Sequence, residues 1–149
     1  PRLPAVAAPT EPLVGKILVV DDDARNLFAI TSLLEGHGLE VVTADTARQG
    51  IEVLERDGDV DLVLMDIMLP EVDGNDATRQ IRAMPRFADL PIVALTAKAM
   101  PEDRERCFEA GCTDFVAKPL DTDRLLTVLH ERLPRAGNRG AAGHASQHG

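Results

Sequence analysis

Five short apolar runs recur along the chain, each followed by a stretch with helical spacing, and this alternation leaves few folds open. The runs are Lys16–Val20, Glu40–Ala44, Asp61–Met65, Pro91–Leu95 and Thr113–Ala117. Four of the five are built mainly from Val, Ile, Leu, Met or Phe with little alternation, the pattern of strands buried on both faces of a parallel sheet. Between them, Leu27, Ile30 and Leu34 fall at helical spacing ahead of stop signals at Gly36 and Gly38. Thr46 and Gln49 have the spacing of a capping box before Ile51 and Leu54. Pro101, Glu102 and Asp103 open a helix that Gly111 closes, and Leu125, Val128, Leu129 and Leu133 form the last apolar stripe. Five β-α units in series predict an α/β fold with a doubly wound parallel sheet, because right-handed crossovers place helices on both faces.

The 149 residues suffice for one domain plus tails. A chain of this size buries roughly two-thirds of its unfolded surface, so it needs no metal or disulfide to fold. Residues 1–15 contain four prolines and read as a semi-extended linker; residues 134–149 are rich in Gly, Ala and polar side chains, including His144 and His148, and read as a disordered tail. The expected domain is 16–133. The net charge of −9 makes the chain a poor binder of nucleic acid directly, and with no Trp or Tyr it has few surfaces on which bases stack. Cys107 and Cys112 have neither the spacing nor the His partners of a zinc site, and they point to a reducing compartment. No apolar run is long enough to span a bilayer and no signal peptide is present, so a cytoplasmic location without membrane contact by this domain is expected, with tethering through upstream domains left open.

In an open α/β sheet the functional crevice lies beyond the carboxyl ends of the strands. The residues expected there are Asp21, Asp22 and Asp23 after the first strand, Asp66 after the third, Thr96 after the fourth and Lys118 after the fifth. Two carboxylates about 4 Å apart repel by roughly 4 kcal/mol at an effective dielectric of 20. Such a cluster keeps a proton or takes a cation. Few oxygen ligands with retained waters suit Mg²⁺ better than Ca²⁺, and Lys118 with the Thr96 hydroxyl would complete a phosphate site. One carboxylate is then free to act as a nucleophile toward phosphorus. Asp23 reads more simply as the N-cap of the following helix.

These residues lie in four motifs: ILVVDDD at 17–23, LVLMDIMLPEVDG at 62–74, ALTA at 94–97 and DFVAKPLD at 114–121. In that order they resemble the receiver domain of two-component response regulators, the CheY-like family, over residues 16–133. The resemblance implies the flavodoxin-like strand order 2-1-3-4-5. It implies that Asp66 is the phosphoacceptor and that Asp21 and Asp22 hold Mg²⁺ together with Asp66 and the backbone carbonyl of Met68, Asp22 being the more direct of the acidic pair. Thr96 and Phe115 match the switch pair, Lys118 the lysine that contacts the phosphoryl group, and Pro119 a proline that often follows a cis bond. Pro70 and Gly74 match the turn that shapes the loop after Asp66. Met68 and Lys98 occupy the positions that tune phosphoryl lifetime, and their apolar and cationic side chains predict slow self-dephosphorylation. The domain would catalyse its own phosphorylation and dephosphorylation, with a sensor histidine kinase or a histidine phosphotransfer protein as partner and a homodimer through the last two helices as a further option.

The stretches at 21–41 and 81–100 look most like receivers at the C-terminal end of hybrid sensor histidine kinases, and the Pro/Ala lead-in fits a linker from an upstream kinase core. The alternative within the family is a free-standing single-domain regulator. A haloacid-dehalogenase-type phosphatase also pairs Asp with Mg²⁺ but needs DxDx(T/V), whereas Asp21 and Asp23 are followed by Ala24 and Arg25. A dinucleotide binder would need a glycine-rich phosphate loop, which is missing. His130 and His37 read as surface residues near helix ends.

Overall fold

The computed structural model describes residues 13–69, 73–97 and 100–133. Pro70, Lys98, His144, His148, most of the lead-in and the tail lie outside the described residues. The elements run β1 (Lys16–Val20), α1 (Ala24–Gly36), β2 (Glu40–Ala44), α2 (Ala47–Asp57), β3 (Leu62–Asp66), α3 (Gly74–Arg82), β4 (Ile92–Thr96), α4 (Pro101–Ala110), β5 (Asp114–Ala117) and α5 (Thr122–Arg132), with a 3₁₀ turn at Pro85–Phe87. All neighbouring strands pair in parallel in the order β2-β1-β3-β4-β5. The fold is the α/β doubly wound sheet that the alternation predicts.

Alternate residues of the central strands feed two separate apolar layers, as the two-residue period requires. Leu18, Val20, Val63, Met65, Ile92 and Ala94 pack with α2, α3 and α4 through Val53, Leu54, Ile81 and Cys107. Ile17, Val19, Leu62, Leu64, Val93 and Leu95 pack with α1 and α5 through Ile30, Leu34, Leu125 and Leu129. Leu13, in the stretch expected to be linker, is buried in this second layer. The expectation of burial on both faces applies to the three central strands apart from Lys16; β2 and β5 are sheet edges and are only partly covered.

Most helix signals in the sequence have a physical counterpart. Asp23 caps α1 by accepting from the Arg25 amide at 2.9 Å. Thr46 caps α2 by accepting from the Gln49 amide at 3.1 Å, while the Gln49 side chain reaches back to the Asp45 amide, one residue earlier than a standard capping box. Gly111 (φ +114°) ends α4, and amide bonds from Gly111 to Phe108 and from Cys112 to Cys107 close the turn, each at 3.0 Å. That turn brings the two free, buried cysteines together. Burial pushes the Cys112 thiol up to about 12, with Cys107 adding to the shift.

Two strand ends differ from the sequence expectation. Asp66 and Thr96 are the last residues of β3 and β4, where the apolar pattern ends each strand one residue earlier. Ladder pairing across the sheet, Asp66 with Leu95 and Thr96 with Ala117, carries both strands one step further than their own hydrophobicity does.

Candidate functional site

Parallel pairing brings the ends of β1, β3, β4 and β5 to one edge. The Asp21 amide continues the β1–β2 ladder by donating to the Ala44 carbonyl at 3.1 Å. The Ile67 amide donates to Leu95 at 3.0 Å and the Lys118 amide to Thr96 at 2.7 Å, so β3, β4 and β5 are still in register where their polar residues emerge. Asp21 is fully buried, Asp66 and Thr96 nearly so, and Asp22 is exposed at the rim.

Carboxylate oxygens of Asp21, Asp22 and Asp66 all lie within 4.8 Å of one another. The Lys118 ammonium stands 3.4 Å from Asp21 Oδ2 and 3.3 Å from Asp66 Oδ2. Backbone amides hold the remaining oxygens: Asp23 donates to Asp21 Oδ1 at 2.9 Å and Met68 to Asp66 Oδ1 at 3.0 Å. These bonds fix both carboxylates before any ligand arrives. Burial raises the Asp66 carboxyl above the usual range and the Asp21 charge adds to that, against the Met68 amide and Lys118. Burial alone would lower the Lys118 ammonium, but Asp66 and Asp21 together hold it above the ordinary lysine value.

Three carboxylates against one ammonium leave the cluster two positive charges short. An all-oxygen donor set with that deficit suits a hard divalent cation, and partial exposure at Asp22 leaves room for retained waters. The residues present therefore fit Mg²⁺. The peptide bond between Lys118 and Pro119 is cis. Gly74 opens α3 so close to the loop after Asp66 that a Cβ there would collide with the Asp66 carbonyl oxygen and lie 2.8 Å from the Ile67 Cα.

A cleft of about 470 Å³ opens beside the cluster, lined by Asp22, Met68, Thr96, Asp73, Asn75, Asp103, Arg106 and Cys107 among others. Met68 is exposed at its mouth. Phe115 lies on β5 away from the carboxylates, half-buried, with its ring edge-on to Phe108. The structure thus gathers Asp21, Asp22, Asp66, Thr96, Lys118 and the Met68 backbone; Asp23 turns away to cap α1, as expected, and Phe115 lies off to the side. Sequence reasoning missed Asn26, whose side-chain amide approaches Asp21 Oδ2 at 3.4 Å. Its place on the first turn of α1, just after the acidic run that follows β1, is the signal that would have found it. It also missed the cleft walls from α3 and α4, which no strand-end pattern marks.

A family model for the response regulator receiver domain matches residues 17–130. The chain belongs to this family. It is a receiver domain of two-component phosphorelay signalling. Among its relatives, the signal transduction histidine-protein kinase BarA of Escherichia coli K12 is 36% identical over 125 residues, which is 84% of this chain and 14% of that protein. The chain thus spans about one-seventh of the length of that relative. The polar-differentiation response regulator DivK of Brucella ovis is 33% identical over 123 residues, 81% of this chain and 98% of that protein. A solved receiver domain, that of the sensor histidine kinase PA1611 from Pseudomonas aeruginosa PAO1, superposes with a TM-score of 0.73 at 38% identity, covering 79% of this chain and 96% of that one. That structure has a magnesium ion coordinated in its active-site cleft. No helix among the described residues of this receiver domain is long and apolar enough to cross a membrane.

Proposed function

We propose that Asp66 is the phosphoacceptor and that residues 16–133 form the receiver unit. The observation that carries the reading is the Asp66 carboxylate at the end of β3, fixed by the Met68 amide, 3.3 Å from Lys118 and beside two further carboxylates. Asp21, Asp22, Asp66 and the Met68 carbonyl would hold Mg²⁺. When bound, the ion neutralises charge on the cluster and on the phosphoryl oxygens. The Asp66 oxygen attacks phosphorus in line, a P–O bond forms, and the P–N bond to a donor imidazole breaks. Lys118 offsets the charge on the equatorial oxygens, and buried walls limit water. Burial favours this chemistry twice. It raises the energy of the bare carboxylate, and it shields the acyl phosphate once formed.

Thr96 is the hydroxyl that turns toward the new phosphoryl group. It lines the cleft with Met68 and Asp22 and is nearly inaccessible elsewhere. The space it leaves lets Phe115 rotate inward, which alters the surface of α4, β5 and α5. Met68 cannot orient an attacking water, so the acyl phosphate is long-lived; Lys98, outside the described residues, would act in the same direction. The phosphodonor is a histidine on a sensor kinase or a histidine phosphotransfer protein, and the likeness to BarA and to PA1611 favours a receiver attached to a hybrid histidine kinase. The second reading, a free-standing regulator, is favoured by the near-complete overlap with DivK. An open reading frame with a kinase core directly upstream separates the two. A homodimer through α4 and α5 is compatible with either.

The test is incubation with acetyl phosphate and Mg²⁺ followed by intact mass. Wild type gains one phosphoryl group and Asp66→Asn gains none. Modification of the Asp66→Asn variant would overturn the assignment, and a phosphoryl lifetime of only seconds at neutral pH would overturn the role given to Met68.

A further inference from the structure

We infer that Arg104 and Phe108 of α4 form a latch that holds the Phe115 ring outward and so sets how readily this domain switches. The inference rests on the reading of Phe115 as the switch aromatic. Arg104 and Phe108 are four residues apart on α4, one above the other on the face beside β5. The Arg104 guanidinium lies over the Phe115 ring, 5.4 Å from its centroid, where the ring's negative face attracts a cation. The Phe108 ring meets Phe115 edge-on, with centroids 6.2 Å apart and planes at 82°. Phe108 remains 47% exposed, and its contact with the Phe115 ring covers part of the remainder. The three side chains line a shallow groove with Pro101, Glu105 and Glu109.

A phenylalanine at 115 has no hydroxyl with which to anchor itself in the outward position. The cation and the second ring supply that anchorage by other means. If the ring turns inward, both contacts break, because Arg104 and Phe108 are carried on α4 and not on β5. The two residues thus stabilise the unswitched state alone, and a ligand that binds the switched state has to overcome them.

Titration with beryllofluoride and Mg²⁺, a phosphoryl mimic, reads this balance, because apparent affinity scales with the fraction of switch-competent protein. Arg104→Gln and Phe108→Ala are each expected to bind the mimic about two- to ten-fold more tightly than wild type. In a Phe115→Ala background the same substitutions are expected to change nothing. Thermal melts confirm that each variant is folded. Unchanged affinity in both single variants, or a gain that persists without the Phe115 ring, would overturn the latch while leaving Asp66 as the acceptor. Wild type that binds no more mimic than Asp66→Asn would overturn the acceptor assignment and the latch with it.

Discussion

Asp66 is held between opposed influences: burial and the Asp21 charge favour its protonated form, the Met68 amide and Lys118 the ionised one, and burial prevails. Its folded pKa therefore exceeds that of the unfolded chain. The stability linked to its proton is complete below the unfolded carboxylate range and is lost as pH rises through the raised folded value. Asp66→Asn, which keeps an acceptor for the Met68 amide without the charge, is expected to raise the melting temperature in metal-free buffer at neutral pH and to flatten its dependence on pH in the mildly acidic range. A lower melting temperature would show that pairing with Lys118 outweighs burial. Lys118 has the same sign in a higher window: its folded pKa is also raised, so its contribution is complete below the ordinary lysine range and disappears only on the alkaline side. Cys112, with its thiol pushed up to about 12 by burial and by Cys107, carries almost no thiolate at neutral pH. Labelling by iodoacetamide at pH 8 should be slow in the native protein and fast in urea; rapid native labelling would contradict the buried environment.

At the scale of single elements, α3 decides how well the loop after Asp66 is held. Asp73 caps it by accepting from the Asp76 amide at 2.9 Å, and the Gly74 amide donates to the Ile67 carbonyl at 3.1 Å. A methyl group at Gly74 meets backbone, which cannot rotate away as a side chain would. Gly74→Ala is expected to cost about 1–3 kcal/mol of stability and to weaken Mg²⁺ binding, measured by denaturant titration and calorimetry. A variant with wild-type stability and affinity would show that the loop yields freely. This helix is also the element that sequence reading located least well. Its inward face is Gly74, Ala77, Thr78 and Ile81, which has helical spacing but only one large apolar side chain. The strands were legible because β1, β3 and β4 are buried on both faces and advertise it in nearly every residue. Their ends were misplaced by one position at Asp66 and Thr96, since the pairing that extends them comes from neighbouring strands and leaves no local mark.

Across the whole molecule, the acidic edge was readable once the strands were, because a parallel sheet brings all its carboxyl ends to one side. The cleft was not, because its far wall comes from Asp103, Arg106 and Cys107 on α4, whose distance from Asp66 is set by packing and not by order along the chain. Three carboxylates and one ammonium couple the stability of the fold to cation supply. Mg²⁺ at about one hundred times its dissociation constant should stabilise the fold by about 2.7 kcal/mol, with a matching rise in melting temperature. Asp22→Ala should remove most of that rise while leaving the metal-free melt near wild type, because Asp22 is exposed. An equal rise in the variant would exclude this cluster as the binding place. The ion pair between Lys118 and Asp21 joins positions 97 residues apart. The carboxylates precede Lys118 along the chain, so a copy cleaved between residues 66 and 118 keeps its acidic cluster and loses the ammonium that offsets it.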